Sequence, residues 1–192
     1  MPVVEIHLPE GYDDDAKRRL LRALTDAVRL VVPAPPEAVT TIAHETPAAN
    51  YMRGGEGRAA AAALADPAEI VRGYLSAMEA RDLDAARTFL AEGFEMRFPG
   101  AAPMKTLEEL VAWSKPRYRF VKKTYDGFDT APGAPAVVVC RGTLAGEWPD
   151  GAPFEGVRFV DRFEVADGRI VRQEVWNDLA LVRPKIDAGI GA

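Results

Sequence analysis

Hydrophobic and polar positions alternate along the start of the chain and then change to helical spacing. Residues 3–8 place Val4, Ile6 and Leu8 on one face of an extended strand. Over residues 13–32 apolar side chains recur every three or four positions, which is typical of an amphipathic helix. The stretch "PAPPEAV" ends that helix because proline cannot continue it, and "AVTTIAHE" predicts a second strand. This order predicts a parallel strand pair with a right-handed crossover.

A second pattern begins after an alanine-rich stretch. Asp66 fits a helix N-cap and Pro67 the first helical position. A further helix is predicted from about Asp82 to Glu92, then a short strand at "FEMRF" and a helix over 106–119. From Lys122 onward the spacing favours strands, which we predict at 122–129, 136–148, 154–166 and 169–182. Helices followed by an antiparallel sheet predict an α+β unit.

The chain therefore divides into two predicted domains. We expect a small β-α-β domain at 1–58, an alanine-rich linker at 59–65, an α+β domain at 66–185 and a tail at 186–192. A single helix covers only one face of the first sheet, so this domain must pack against another copy or against the rest of the chain. We expect a homo-oligomer, at least a dimer.

Composition narrows the possible partners. The net charge of −5 argues against a nucleic-acid surface, which is usually basic. Only one cysteine is present, so neither an internal disulfide nor a cysteine metal site is expected. No stretch is apolar enough to span a membrane, and acidic residues interrupt the N-terminus where a secretory signal would be apolar. We therefore expect a cytoplasmic protein, of bacterial origin by its alanine- and arginine-rich composition, with His7 and His44 as structural imidazoles rather than metal ligands.

Pro2 is the first candidate for chemistry. Methionine is normally removed before a small residue, which leaves Pro2 with a free secondary amine. Burial among Val39, Ile42 and Tyr51 would lower the pKa of that amine, because desolvation disfavours the charged form. A neutral amine near pH 7 is a competent general base for moving a proton at a carbon next to a carbonyl. The alternative is a proline without a catalytic role.

The strand "PVVEIHLPEG", the helix, the second strand and "HETPAANYMRGG" together resemble the 4-oxalocrotonate tautomerase family over residues 2 to about 58. The resemblance implies a cofactor-independent proton transfer with Pro2 as the base and Tyr51 as the active-site aromatic. Family members that act on dicarboxylates have arginines where this chain has Tyr12 and Thr40. Arg53 is either a substitute cation or a solvated loop residue. We therefore expect a substrate less acidic than a dicarboxylate.

Residues 66–185, through "DPAEIVRGYLSAMEARDLDAARTFLAEGFEMRFPG" and "VRFVDRFEVADGRIVRQEVWNDLA", resemble the SnoaL-like branch of the nuclear transport factor two-like superfamily. The resemblance implies a cone-shaped sheet around an apolar pocket, with a pocket carboxylate as acid or base. Asp161 shares a predicted face with apolar residues of its strand, and Asp178 shares one with Ile170 and Trp176. The structural alternatives are that Asp161 pairs with a nearby arginine (Arg158, Arg162 or Arg172) and that Asp178 caps the strand end.

Three functions remain open at this stage. The first is a tautomerase or isomerase that uses Pro2. The second is a cyclase, isomerase or dehydratase that acts in the cone through Asp161 or Asp178 on a hydrophobic small molecule. The third is a small-molecule binder without catalytic activity.

Overall fold

The computed structural model describes residues 1–182. The chain forms two compact units, Met1–Ala63 and a second unit that begins at Leu64. The predicted tail 186–192 lies outside the described residues.

The first unit is the predicted strand–helix–strand. Strand β1 spans Val3–Pro9, helix α1 spans Asp14–Arg29 and strand β2 spans Thr40–Thr46. Strands β1 and β2 pair in parallel with Val3 opposite Thr40, which confirms the expected parallel pairing. A hairpin of two short strands, β3 at Met52–Arg53 and β4 at Glu56–Gly57, follows.

Helix α1 is shorter than its hydrophobic pattern predicts. The Asp13 side chain accepts a hydrogen bond from the Ala16 amide at 2.7 Å and caps the N-terminus. The helix ends at Arg29, although the apolar spacing continues to Val32. Val32 precedes Pro33, and the proline ring disfavours helical backbone at the residue before it.

The two faces of the β1–β2 sheet differ in what covers them. One face carries Val4, Ile6 and Leu8, which are half-buried, and Lys17 of α1 binds Glu45 of β2 at 3.1 Å. The other face leaves Val3 55% and Ile42 37% exposed. Among the described residues, all fully buried side chains belong to the second unit. The first unit by itself therefore has no closed core.

The second unit packs helices against one curved sheet. Its elements are α2 (Pro67–Glu79), α3 (Leu83–Thr88), β5 (Leu90–Arg97), α4 (Leu107–Ser114), β6 (Phe120–Ala131), β7 (Ala136–Glu147), β8 (Pro153–Ala166), β9 (Arg169–Asn177) and α5 (Leu179–Val182). The five strands are ordered β5-β9-β8-β7-β6. The core forms between α2, α4 and the inner face of the sheet, with Tyr74, Leu107 and Phe163 almost completely buried. This arrangement is the expected α+β cone.

Several element predictions differ from the structure. The helix expected over 106–119 spans only Leu107–Ser114. The helix expected to reach Glu92 ends at Thr88, because Leu90 already belongs to β5. Strand β5 pairs in parallel with β9, so the sheet is not entirely antiparallel. The last strand ends at Asn177 rather than continuing to 182, because the Asn177 side chain accepts a hydrogen bond from the Leu179 amide at 3.2 Å and a short helix starts there.

Strand β9 contains a bulge that changes which of its side chains face the core. Glu164 of β8 pairs with Arg172 and Val165 pairs with Ile170, so Val171 has no opposite residue. An extra residue on one strand shifts the alternation of every later position. Ile170 is buried before the bulge, and Gln173 and Val175 are buried after it.

Candidate functional site

The second unit encloses a cavity of about 510 Å³ between α2, α4 and β6, which we call the main cavity. Its wall is mostly apolar, from residues such as Leu75, Met78, Phe98, Leu110 and Val121. A volume in this range and a wall of this composition are typical of small-molecule sites. The main cavity is therefore the candidate binding site of this unit.

Three polar side chains of the main cavity wall, those of Tyr74, Lys123 and Gln173, form a cluster with Asp161. The Tyr74 hydroxyl donates to Gln173 Oε1 at 3.2 Å, and Gln173 Nε2 donates to Asp161 Oδ2 at 3.5 Å. Lys123 Nζ forms an ion pair with the same Asp161 oxygen and lies 4.5 Å from the centre of the Phe159 ring. Asp161 is completely buried. A carboxylate in this position needs a charged partner, and Lys123 provides it.

A smaller cavity of about 50 Å³, the side cavity, lies next to the polar cluster. Lys123 lines both cavities, whereas Asp161 and Trp113 line only the side cavity. Within the part of the chain that the structure describes, Asp161 Oδ1 and Trp113 Nε1 are buried without a hydrogen-bond partner. Asp161 Oδ1 is a hydrogen-bond acceptor and Trp113 Nε1 is a donor, so the side cavity offers a ligand one unused acceptor and one unused donor.

The surroundings of Asp161 alter the acidity of neighbouring groups. Burial, reinforced by the Asp161 charge, raises the pKa of the Tyr74 hydroxyl well above its ordinary value. Burial is also the main cause that raises the pKa of Tyr125, with smaller contributions from Cys140 and Asp161. The Cys140 thiol is raised to a pKa of about 12, first by burial and then by Asp161. These groups stay protonated at neutral pH and serve as donors or apolar contacts.

Two sequence interpretations of the cone carboxylates are wrong in their details. Asp161 faces inward as predicted, but its partner is Lys123 and not an arginine. Arg158 instead binds Asp178 at 2.8 Å. Asp178 and Trp176 do not join the apolar face of β9, since Trp176 is 53% exposed. The bulge at Val171 is the physical reason.

Three members of the polar cluster, Tyr74, Lys123 and Gln173, were not predicted from the sequence as functional residues. Strict alternation along β9 places Gln173 on the face opposite to Ile170, and the bulge that turns it inward is not visible in the pattern. Tyr74 shares helical spacing with the apolar residues Ile70 and Leu75, so the pattern does not mark its hydroxyl as functional. Lys123 could have been found, because Val121, Lys123 and Tyr125 alternate with exposed residues in β6 and so share its inner face.

In the first unit, Pro2 and Thr40 are neighbours. The Thr40 amide donates to the Pro2 carbonyl at 3.0 Å, at the point where β1 and β2 both begin. Pro2 is half-buried and Met1 is 90% exposed. Ile42, which was expected to bury the amine, lies on the open face of the sheet. The first unit alone therefore gives the Pro2 nitrogen little desolvation.

Tyr12, Tyr51 and Arg53 lie toward the opposite end of the sheet from Pro2. Tyr12 follows the end of β1, which rises roughly 20 Å over its seven residues. The Tyr51 carbonyl accepts from Arg58 at 3.0 Å, and Ala60 lies against Gly11, so Tyr51 belongs to the same end. Arg53 is exposed in the β3–β4 hairpin. One copy of the chain therefore does not bring Pro2 together with Tyr12.

Within residues 1–182, no group of three or more His, Cys, Asp or Glu side chains is arranged to hold a metal ion. His7 and His44 stack with ring centres 4.8 Å apart, and His44 contacts Glu5 at 3.3 Å. No helix in that part of the chain is long and apolar enough to cross a membrane.

Residues 2–61 match the family model of tautomerase enzymes. The 2-hydroxymuconate tautomerase of Stutzerimonas stutzeri is 36% identical over 56 residues, which cover 29% of this chain and 89% of that protein. A protein of the same name from Pseudomonas putida is 34% identical over 56 residues, with the same coverage. A probable tautomerase of Ralstonia nicotianae is 38% identical over 61 residues, which cover 32% of this chain and 87% of that one.

Residues 71–173 match the family model of the SnoaL-like domain. An NTF2-like protein of Burkholderia pseudomallei superimposes with a TM-score of 0.53 at 21% identity, covering 59% of this chain and 92% of that one. An NTF2-like protein of Burkholderia thailandensis gives a TM-score of 0.52 at 23% identity, covering 62% and 95%. These identities establish the fold of the second unit alone.

Proposed function

We propose that the chain is a cofactor-independent tautomerase whose general base is the Pro2 amine. The chain belongs to the tautomerase enzymes through residues 2–61 and to the SnoaL-like family through residues 71–173. The observation that carries this proposal is the placement of Pro2. The tautomerase match begins at residue 2, directly after an exposed Met1 at the free start of β1. Removal of Met1 converts this position into an accessible secondary amine.

The reaction is a proton transfer between an enol and its keto form. The neutral Pro2 nitrogen takes the proton of the enol hydroxyl, the electron pair forms the carbonyl, and the protonated amine returns a proton to the adjacent carbon. No atom is gained or lost by the substrate. The amine must be neutral at working pH, which requires that its surroundings disfavour the charged form.

A second copy of the chain completes this site in our proposal. Within one copy Pro2 lies at one end of β1 and Tyr12 follows the other end. Tyr12 or Tyr51 of a neighbouring copy, packed on the open face of the sheet, would cover Pro2 and supply the desolvation that one copy lacks. The exposed Val3 and Ile42 side chains favour such an interface.

The proposed substrate is an enol with at most one carboxylate. Two of the relatives are named for 2-hydroxymuconate, a dicarboxylate. Tyr12 and Thr40 carry no positive charge and cannot form the bidentate pair that arginine makes with a carboxylate. We therefore propose a phenylenolpyruvate-type substrate.

The test combines intact mass with kinetics. The mature chain should lack Met1, and Pro2→Ala should lower kcat/KM for phenylenolpyruvate by roughly 10²-fold or more. Pro33→Ala, in the loop after α1, is the matched control and should keep the wild-type rate. Retained Met1, or a Pro2→Ala variant as fast as wild type, would contradict the proposal.

A second candidate function is proton transfer in the cone, carried by the buried Lys123–Asp161 pair. Its specific observation is Asp161 Oδ1, which is buried without a hydrogen-bond partner among the described residues, on a carboxylate that lines the side cavity. Elimination of 5-nitrobenzisoxazole reports a carboxylate base without needing the natural substrate. The wild-type protein should accelerate this elimination, and Asp161→Asn should not. Asp178→Asn should be as fast as wild type, because Asp178 is bound to Arg158 at the surface.

A wild-type rate no higher than that of buffer would reject this candidate. Ligand binding without turnover in either assay would favour a non-enzymatic binder.

A further inference from the structure

The mouth of the main cavity concentrates positive charge in an acidic protein. The chain carries a net charge of −5, yet the exposed residues that line this cavity include Arg81, Lys115 and Arg119 and only one acid, Glu79. Arg119 binds Glu147 at 2.9 Å. No carboxylate of the described residues forms an ion pair with Arg81 or Lys115. Two cations are therefore available at the entrance.

Arg81 occupies a backbone position that favours glycine. Its φ of 59° is left-handed, and it follows the C-terminal end of α2. The Asp82 amide bonds to the Ala77 carbonyl at 2.9 Å across this residue, which is the hydrogen bond of a Schellman cap. The cap residue is usually glycine, because a side chain there strains the backbone. Backbone strain of this kind persists where the side chain has a role that glycine cannot fill.

The interior of the same cavity suits an aromatic body. Phe98 and Tyr118 line it, and Phe120 stands at the mouth with 39% of its surface exposed. Lys123 also lines the cavity, but Asp161 neutralises its charge. The deep part is therefore apolar and close to neutral overall, whereas the mouth is cationic.

We propose that the main cavity binds an aromatic carboxylate, with its ring system among the apolar wall residues and its carboxylate at the mouth, where Arg81 and Lys115 lie. The inference goes beyond the tautomerase proposal, because binding here needs neither the Pro2 amine nor a proton transfer by Asp161. Arg81 is then a specificity-determining residue: its charge selects carboxylates, and this role explains why an arginine occupies a backbone position that favours glycine.

The test uses 2-naphthoate and its uncharged analogue 2-naphthamide, titrated calorimetrically into the full-length protein. The anion should bind roughly tenfold more tightly than the amide, since charge-assisted hydrogen bonds are the stronger kind. High salt should shrink this preference, because the cations at the mouth are exposed. Equal affinity of the two compounds, or no binding of either, would overturn the proposal.

Arg81→Gly separates the binding role from a structural one. We expect the anion preference to fall several-fold while Tm rises by roughly 2–4 °C, because glycine relieves the left-handed strain. Lys115→Gln should also weaken naphthoate binding, and Lys122→Gln, an exposed lysine that does not line the cavity, is its matched control. An anion preference that survives in the Arg81→Gly, Lys115→Gln double variant would refute the assignment.

Discussion

Asp161 is a charged residue in the core of the second unit, and its place there depends on its contacts. It is completely buried, one of its oxygens is bound to Lys123 and Gln173, and the other has no partner among the described residues. The ion pair joins β6 to β8, which are not neighbours in the sheet. A buried charge is tolerated only while its counter-charge is present. Lys123 therefore holds this carboxylate in the core.

Lys123→Met should destabilise the fold by about 3 kcal/mol, because the Asp161 charge would remain buried without its cation. Urea unfolding measures this loss. Lys122→Met, one residue away and exposed, should change the free energy of unfolding by less than about 0.5 kcal/mol. Adding Asp161→Asn to Lys123→Met should recover part of the loss, and equal losses in the two lysine variants would contradict this account.

Alkaline pH should destabilise the protein through its buried acids. The Cys140 thiol has an ordinary pKa of 9.0 and a folded pKa of about 12, and the pKa values of Tyr74 and Tyr125 are also raised by burial. Their contribution to stability is complete below pH 9.0 and is lost as pH rises toward the folded values, because the unfolded state releases these protons first.

Urea unfolding as a function of pH checks this expectation. The free energy of unfolding should decline above about pH 9 in wild type and decline less steeply in Cys140→Ala. Ser76→Ala removes an exposed hydroxyl that does not titrate in this pH range and is the control that should leave the slope unchanged. A stability profile that stays flat up to pH 11 in wild type would contradict the assignment.

At the scale of elements, β9 shows how one extra residue changes a whole strand. Ile170 points into the core, Val171 forms the bulge, and the later inward positions are Gln173 and Val175. Without the bulge the inward positions would include Trp176. The bulge therefore places the amide of Gln173 next to Asp161 and leaves the large indole outside.

In β9, truncation of a small side chain should cost more stability than truncation of a large one. Val175 is 7% exposed and Trp176 is 53% exposed. Val175→Ala should therefore cost about 2 kcal/mol, whereas Trp176→Ala should cost less than about 1 kcal/mol. Thermal or urea unfolding of the two variants compares them directly. A larger loss for Trp176→Ala would mean that β9 follows an uninterrupted alternation.

At the scale of the whole molecule, the first unit depends on contacts beyond its own sheet and helix. Helix α1 covers one face of the β1–β2 sheet, and the other face exposes Val3 and Ile42. A unit of this size that leaves one sheet face open is at best marginally stable alone. The proposed tautomerase site and the stability of this unit therefore lead to the same expectation, a second copy on the open face.

Ile42→Glu should weaken self-association by about 100-fold, because it places a charge within the expected apolar interface. Sedimentation velocity measures the size of the species, and phenylenolpyruvate turnover should fall with it. Leu30→Glu, at an 87% exposed position just after α1 and off the sheet, is the control. A monomeric wild type would contradict the expectation of an oligomer.

Elements whose pattern is local could be predicted from the sequence. The parallel β1–β2 pair, the helix cap at Asp66 and the inward face of Asp161 follow from spacing, turn residues and strand alternation. The two family resemblances then indicated the folds to which these elements belong. Such features are readable because each depends on residues a few positions apart.

The way in which distant residues combine could not be predicted from the sequence and is visible in the folded chain. The fold paired Asp161 with Lys123, which is 38 positions away. It turned Gln173 inward through the bulge, and it separated Pro2 from Tyr12 by the length of β1. It also placed the strained Arg81 at the mouth of the main cavity. None of these is encoded in a period of two or 3.6 residues, because each depends on strand register, on packing across the sheet or on the path of the chain through space.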